Sequence, residues 1–271
     1  MNKKTLLPIL LTLFVSQAYT QMLQIATNPA TPPFESLENG QVVGFDMDFL
    51  AALSEVGNGF QYNITIQSWN DIFAGVQNGT FDAAICSISI TSVRNVIYSF
   101  SVPYFISTHV ILAKAGTDIK TAQDLLNKNV AIVTGTTGEA AVEGIFGGSS
   151  NNILPFINLS QAIDALDNGA ADAVVDDSGF LENFANNNPG YVVIRDPNTF
   201  VTEFYGIMFP KGSPIVSEFD DAITTVLDNG EYDKIYTKWF TGTPQIDILL
   251  EAGEDADPYE ALAEEGGLSG E

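Results

Sequence analysis

The feature that most constrains this chain is a short unit written twice. Asn78-Gly79-Thr80-Phe81-Asp82-Ala83-Ala84-Ile85 returns ninety residues later as Asn168-Gly169-Ala170-Ala171-Asp172-Ala173-Val174-Val175. Each copy follows a stretch with helical spacing of its apolar residues, DIFAGVQ in the first case and QAIDALD in the second. Each helix has an N-cap candidate ahead of it, Ser68 or Asn70 and then Ser160. Asn-Gly ends the helix, because glycine enters the left-handed region without strain, and an apolar run follows. The spacing is too wide for a solenoid, whose periods are about 20–50 residues. It predicts two similar α/β lobes. Ligands of open α/β sheets bind beyond the carboxyl ends of the strands, and two such ends facing one another make a cleft.

Both repeated strands run out into polar residues. The first leads to Ser87, Ser89, Thr91 and Ser92 and then to Arg94, one of two arginines in a chain with 34 acidic residues. Short hydroxyls, accessible backbone N–H groups and a planar bidentate cation are what a carboxylate site requires. The second leads to Asp176, Asp177 and Ser178. Around the repeats, strands are expected at Leu23–Thr27, Tyr62–Ile66, His109–Ala113, Asn129–Val133, Tyr191–Ile194 and Gly206–Phe209. Helices are expected from Gly44-Phe45-Asp46, after Thr121, and over Ser217–Asn229 and Glu231–Phe240. Alternating strands and helices indicate α/β architecture with largely parallel sheets.

Composition narrows the function. Lys3 and Lys4 precede an apolar stretch from Leu6 to Val15, and Ser16-Gln17-Ala18 suits cleavage, so residues 1–20 read as a secretory signal peptide. Without those two lysines, eight basic residues face 34 acidic ones, a formal net charge of −26. Such a surface argues against nucleic acid as a partner. A single cysteine, Cys86, excludes an internal disulfide and reads as a buried thiol. A single histidine, His109, argues against a His-ligated metal centre or a Ser-His-Asp triad, so neither a metal nor a cofactor is expected. No basic residue follows Lys238; residues 244–271, rich in glycine and acid, are expected to be mostly disordered, with one helical patch at Tyr259–Glu264.

In this order and spacing, the chain resembles the bacterial family 3 extracellular solute-binding proteins, the periplasmic amino-acid receptors of ABC transporters. The motifs are PPFES at 32–36, GFDMDFLAAL at 44–53, NGTFDAAI–SISIT–R at 78–94 and FSVPYF at 100–105. They continue with VTGTTGE at 133–139, NGAADAVVDD at 168–177 and NGEYDKIYTKWF at 229–240. The resemblance covers residues 22 to about 241. It implies a two-lobed periplasmic-binding-protein fold of type II, α/β, hinged by two crossover strands near Ile106–Thr108 and Val201–Phe204. Lobe 1 would comprise 21–107 plus 204–243, and lobe 2 would comprise 108–203.

By the same resemblance, Arg94 grips a ligand α-carboxylate, and Ser89 and the turn at Thr136-Thr137 add hydroxyl and backbone donors. Asp177 accepts from the α-ammonium, Ser87 offers it a main-chain carbonyl, and Trp69 forms an apolar wall. Thr31 stands where the family often has an aromatic lid, and Asn28 where receptors for basic amino acids often have Asp. A neutral or polar amino acid is therefore expected, with Glu139 on an exposed first helical turn. The resemblance also implies a monomeric periplasmic receptor, partnered by an ABC transporter permease and without catalysis. Its alternatives are an enzyme on the same scaffold, similar to cyclohexadienyl dehydratase, and a ligand-sensing protein.

Overall fold

A computed structural model describes residues 22–57 and 59–254. The leader at 1–20 and the patch at Tyr259–Glu264 lie outside them. Two sheets organise the chain. The first runs in the order Tyr62–Ile66, Leu23–Thr27, Ala83–Ala84, Met208–Pro210, Tyr98–Phe100. The second runs Ile153–Phe156, Val130–Val133, Ala173–Asp177, Phe105–Lys114, Tyr191–Ile194. In each, the repeated strand lies parallel to an earlier strand of its sheet, Leu23–Thr27 or Val130–Val133.

The two copies of the sequence unit are built alike down to single hydrogen bonds. Gly79 and Gly169 take φ of +75° and +81° just past their helices. The Oδ1 atoms of Asn78 and Asn168 accept from the N–H groups of Thr80 (2.9 Å) and Ala170 (3.0 Å). Asp82 exchanges two bonds with the backbone of Gln24: its N–H donates to the carbonyl at 2.9 Å, and its Oδ2 accepts from the N–H at 2.8 Å. Asp172 does the same with Asn129, at 2.8 Å each way. The aspartate therefore pins each repeated strand to its parallel neighbour, which aims both carboxyl ends at the same cleft.

The chain crosses between the sheets twice, and the two crossings pair with each other. Thr202–Tyr205 runs antiparallel to the start of Phe105–Lys114, with Thr202 opposite Thr108, Glu203 opposite Ser107, Phe204 opposite Ile106 and Tyr205 opposite Phe105. A cluster of rings packs beside this ribbon. Phe34, wholly buried, lies 4.7 Å from Phe105, 5.3 Å from Phe180, 5.5 Å from Tyr205 and 5.0 Å from Phe240 between ring centres. A Cβ on Gly179 would come within 2.6 Å of the Phe34 ring, so that glycine lets the helix Ser178–Asn187 reach it.

Several local expectations are corrected. The second repeated helix begins at Leu159 and is capped by Asn158, whose Oδ1 accepts from Gln161 N–H at 3.0 Å; Ser160 lies inside its first turn. A short helix, Ser92–Ile97, carries Arg94. The acidic stretch from Pro244 opens with a helix, Ile246–Glu254, rather than disordered chain. Its apolar residues recur at helical spacing, and Leu249 and Ala252 are buried against the first-sheet half, with Gly253 against Val102. Among the described residues no helix is long and apolar enough to cross a membrane. Because Leu249 is 2% exposed, Leu249→Ala should cost about 2–3 kcal/mol of stability. Urea unfolding followed by circular dichroism checks this, and an unchanged midpoint would mean that the helix does not pack in solution.

Candidate functional site

All seven residues singled out for the site line one cavity between the two sheets: Trp69, Ser87, Ser89, Arg94, Thr136, Thr137 and Asp177. Asn28, Thr31, Asp176 and Phe180 line it too. Each lies in a strand, in the loop just beyond one, or at the start of a helix.

Arg94 is fixed first by its own backbone, whose N–H donates to the capping Thr91 Oγ1 at 3.1 Å. Its guanidinium donates to Ser89 O at 2.7 Å and, across the cavity, to Gly135 O at 3.2 Å. It also lies over the rings of Trp69 and Phe73, 5.6 and 5.1 Å from their centres. Trp69 Nε1 donates to the same Gly135 carbonyl at 3.3 Å. Gly135 has φ +80°, and a Cβ there would sit 3.3 Å from that indole nitrogen, so this approach suits glycine. Thr136 caps the helix Thr137–Phe146, accepting from Glu139 N–H at 3.3 Å. Glu139 itself reaches back to Gly135 N–H at 2.8 Å and so serves the loop. A helix N-terminus with unsatisfied N–H groups favours an anion.

Asp177 ends the strand Ala173–Asp177 and is buried. Its Oδ2 accepts from Tyr205 Oη at 2.6 Å, while Oδ1, buried, has no hydrogen-bond partner and lies 3.4 Å from His109 Nε2. Burial raises its carboxyl to about 6; the His109 imidazole opposes the rise and Glu203 adds to it. Burial also pushes the neighbouring Asp176 up to about 8, with the Asp177 charge adding to the effect. Asp176 Oδ1 accepts from the Asp177 N–H at 2.8 Å and so fixes that backbone.

Three charged groups on the crossover ribbon and below the cavity escaped the sequence reading. Glu203, 6% exposed, accepts at Oε2 from Ser89 Oγ at 2.6 Å and from Thr137 Oγ1 at 2.8 Å. The Ser89 hydroxyl, expected to donate to a ligand carboxylate, thus spends its proton on Glu203 in this structure. Under Ser87, Glu35 and Asp46 are wholly buried. Asp46 Oδ2 accepts from Ser87 N–H and from Tyr104 Oη, both at 3.0 Å; Glu35 accepts from Thr31 Oγ1 at 2.7 Å and from Ser87 Oγ at 3.4 Å. Burial drives Glu35 well above the usual carboxylate range, and the adjacent Asp46 raises it further. These bonds hold Ser87 at φ +48°, a left-handed conformation that costs a serine about 1–2 kcal/mol. Both acids lie in sequence motifs, Glu35 in PPFES and Asp46 in GFD, but nothing local to either triplet marks its carboxyl for burial.

His109, Asp177 and Glu203 bring one ligand atom each within 4.8 Å of one another, a spacing that a metal ion spans. Hydroxyls already engage one oxygen of each carboxylate, and the imidazole lies between them, so the group is also self-consistent as a hydrogen-bonded network. Cys86 is buried, and burial together with the Glu35 and Asp46 charges raises its thiol well above its ordinary value, which disfavours a nucleophilic thiolate.

Comparison with known proteins identifies the family. Residues 23–242 match the bacterial extracellular solute-binding proteins, family 3. A probable histidine-binding protein of Neisseria gonorrhoeae is 37% identical over 81% of this chain and 83% of its own length. An arginine-binding periplasmic protein of Mannheimia haemolytica is 32% identical over 89% of this chain and 99% of its own. The crystal structure of the arginine-, lysine-, histidine-binding protein ArtJ from Geobacillus stearothermophilus superimposes with a TM-score of 0.82 at 38% identity, covering 85% of this chain and 100% of that one. These relatives are named as binding proteins rather than enzymes.

The raised carboxyls make a pH prediction. Asp176 and Asp177 bind protons more tightly folded than unfolded, where the reference is near 4. Their contribution to stability therefore falls as pH rises from about 4 towards 8. Asp176→Asn keeps an acceptor for the Asp177 N–H and should flatten the decline in thermal midpoint of the ligand-free protein between pH 5 and 8. A variant profile parallel to the wild type would show that Asp176 is ionised at neutral pH.

Proposed function

The chain belongs to the bacterial extracellular solute-binding proteins of family 3, and from that premise we propose an extracytoplasmic receptor that holds one free amino acid for an ABC transporter permease. The observation that carries the reading is the opposition of Arg94 and Asp177 across one cavity. A zwitterion taken out of water needs both charges paired, since a buried unpaired charge costs several kcal/mol. Arg94 supplies a planar fork for the carboxylate, and the N–H groups opening the helix Thr137–Phe146 supply further donors. Asp177 Oδ1, buried without a hydrogen bond, supplies the acceptor for the ammonium, together with the Ser87 carbonyl. Trp69 provides the wall for the side chain. Contacts from both sheets are complete only when the lobes, 21–107 plus 204–243 and 108–203, close on the ligand.

Within that class, the proposed ligand is an amino acid with a planar, polar side chain, histidine first. The Neisseria gonorrhoeae relative is named for histidine, and ArtJ for histidine together with arginine and lysine. Trp69 offers a stacking face, and Asn28 brings an amide rather than a fixed negative charge. A monomer exported by the leader at 1–20 and acting without a cofactor completes the reading.

Titration calorimetry against histidine, arginine, lysine, glutamine, leucine and glutamate tests the assignment, with histidine expected to bind most tightly. Arg94→Ala should cost about 2–5 kcal/mol of binding, because the ligand carboxylate is left buried and unpaired. Arg94→Lys should restore only part, since an ammonium does not match the fork. Unchanged affinity in a folded Arg94→Ala protein would remove Arg94 from the site.

A further inference from the structure

We infer that Glu203 is a positioning residue that makes the hydroxyl end of the cavity select the ligand's ammonium over its carboxylate; the inference rests on the receptor reading above. Glu203 is not among the residues lining the cavity. It acts through two that do. Ser89 and Thr137 each carry one hydroxyl proton, and each donates it to Glu203 Oε2, at 2.6 and 2.8 Å.

The direction of the remaining bonds follows. With its proton committed, Thr137 Oγ1 accepts from His109 Nε2 at 3.2 Å, which places the imidazole proton on Nε2. The same Nε2 lies 3.4 Å from Asp177 Oδ1 and 3.7 Å from Glu203 Oε1. Ser89 and Thr137 therefore turn lone pairs, not protons, towards the cavity. Beside them is Asp177 Oδ1, buried and without a hydrogen bond. Two hydroxyl oxygens and a carboxylate oxygen make an end that welcomes N–H donors and repels an anion. A ligand carboxylate is left to Arg94 and to backbone N–H groups. Without an acceptor at position 203, the hydroxyls would be released to rotate and donate to that carboxylate, and the distinction between the two ends would weaken.

The strand geometry explains why position 203 can do this. Side chains alternate along a strand, so Glu203 and Tyr205 share one face of the ribbon, and Ser107 and His109 share the matching face of its partner. Glu203 turns towards Ser89 and Thr137, while Tyr205 bonds Asp177 Oδ2 at 2.6 Å and Ser107 Oγ at 3.1 Å. One face of a four-residue ribbon thus orients the acceptor groups on both sides of the cleft.

The test compares L-histidine with its 2-hydroxy analogue, imidazolelactate, in which a hydroxyl replaces the ammonium. Glu203→Met fills similar volume with no acceptor. It should lower the histidine-to-imidazolelactate affinity ratio by at least about tenfold, mostly through weaker histidine binding. Glu203→Gln keeps an oxygen acceptor without the charge and should lower the ratio less, by about threefold. General damage to the fold would weaken both ligands alike and leave the ratio where it was. A ratio within twofold of wild type in the folded variants overturns the inference, and if the Met variant does not fold, the Gln variant decides. Wild-type protein that binds neither compound would instead overturn the receptor reading, and this inference with it.

Discussion

The site depends on the antiparallel ribbon formed where the chain crosses between its two sheets. Phe105–Thr108 and Thr202–Tyr205 are paired residue by residue, so the side chains on their shared face are held at fixed spacing. Glu203 reaches Ser89 on the first-sheet side and Thr137 on the second. Tyr205 reaches Asp177, and His109 lies beside both carboxylates. A hinge is usually described by what it lets move. Here the same strands set which hydrogen-bonding groups the cavity presents.

Charge explains why so much hydrogen bonding is invested there. Among the described residues, Glu35, Asp46, Asp176, Asp177 and Glu203 are buried in or beneath the cavity, and the Arg94 guanidinium and the His109 imidazole lie beside them. Ionising all five without partners would cost more than a domain's total stability. Burial and acidic neighbours instead push Asp176 up to about 8 and Glu35 well above the usual carboxylate range, towards their neutral forms. Hydroxyl and backbone donors are turned on the others. Asp177 Oδ1 is a buried acceptor without a hydrogen bond, and a ligand's ammonium would supply the donor. On the proposed reading, binding would be favoured partly by relieving that under-satisfied carboxylate.

Much of this was legible in the sequence because it is written in local chemistry. Asn-Gly, followed by Asp three residues after the glycine, fixes a helix end and a strand clamp, and it does so identically at Asp82 and Asp172. Strand ends are short and polar, so Ser87, Ser89, Arg94 and Asp177 stood out. Glu203, His109, Glu35 and Asp46 did not. Apart from the bond between Glu35 and Thr31, their partners lie 28 to 114 residues away, and a lone Glu in Thr-Glu-Phe-Tyr carries no local mark of burial. The helix Ile246–Glu254 was hidden by acid and glycine. Its apolar residues Ile246, Leu249, Leu250 and Ala252 keep helical spacing within that acidic composition.

The central claim is that a ligand bridges groups on opposite lobes and thereby draws them together. Small-angle scattering of the mature protein, without ligand and at saturating L-histidine, tests it most directly when the histidine is afterwards recovered and weighed by mass spectrometry. The radius of gyration should be smaller with ligand, and the histidine should be returned unaltered. An unchanged radius at proven saturation would contradict closure across the cleft, and consumption of the histidine would contradict a receptor that only binds and releases.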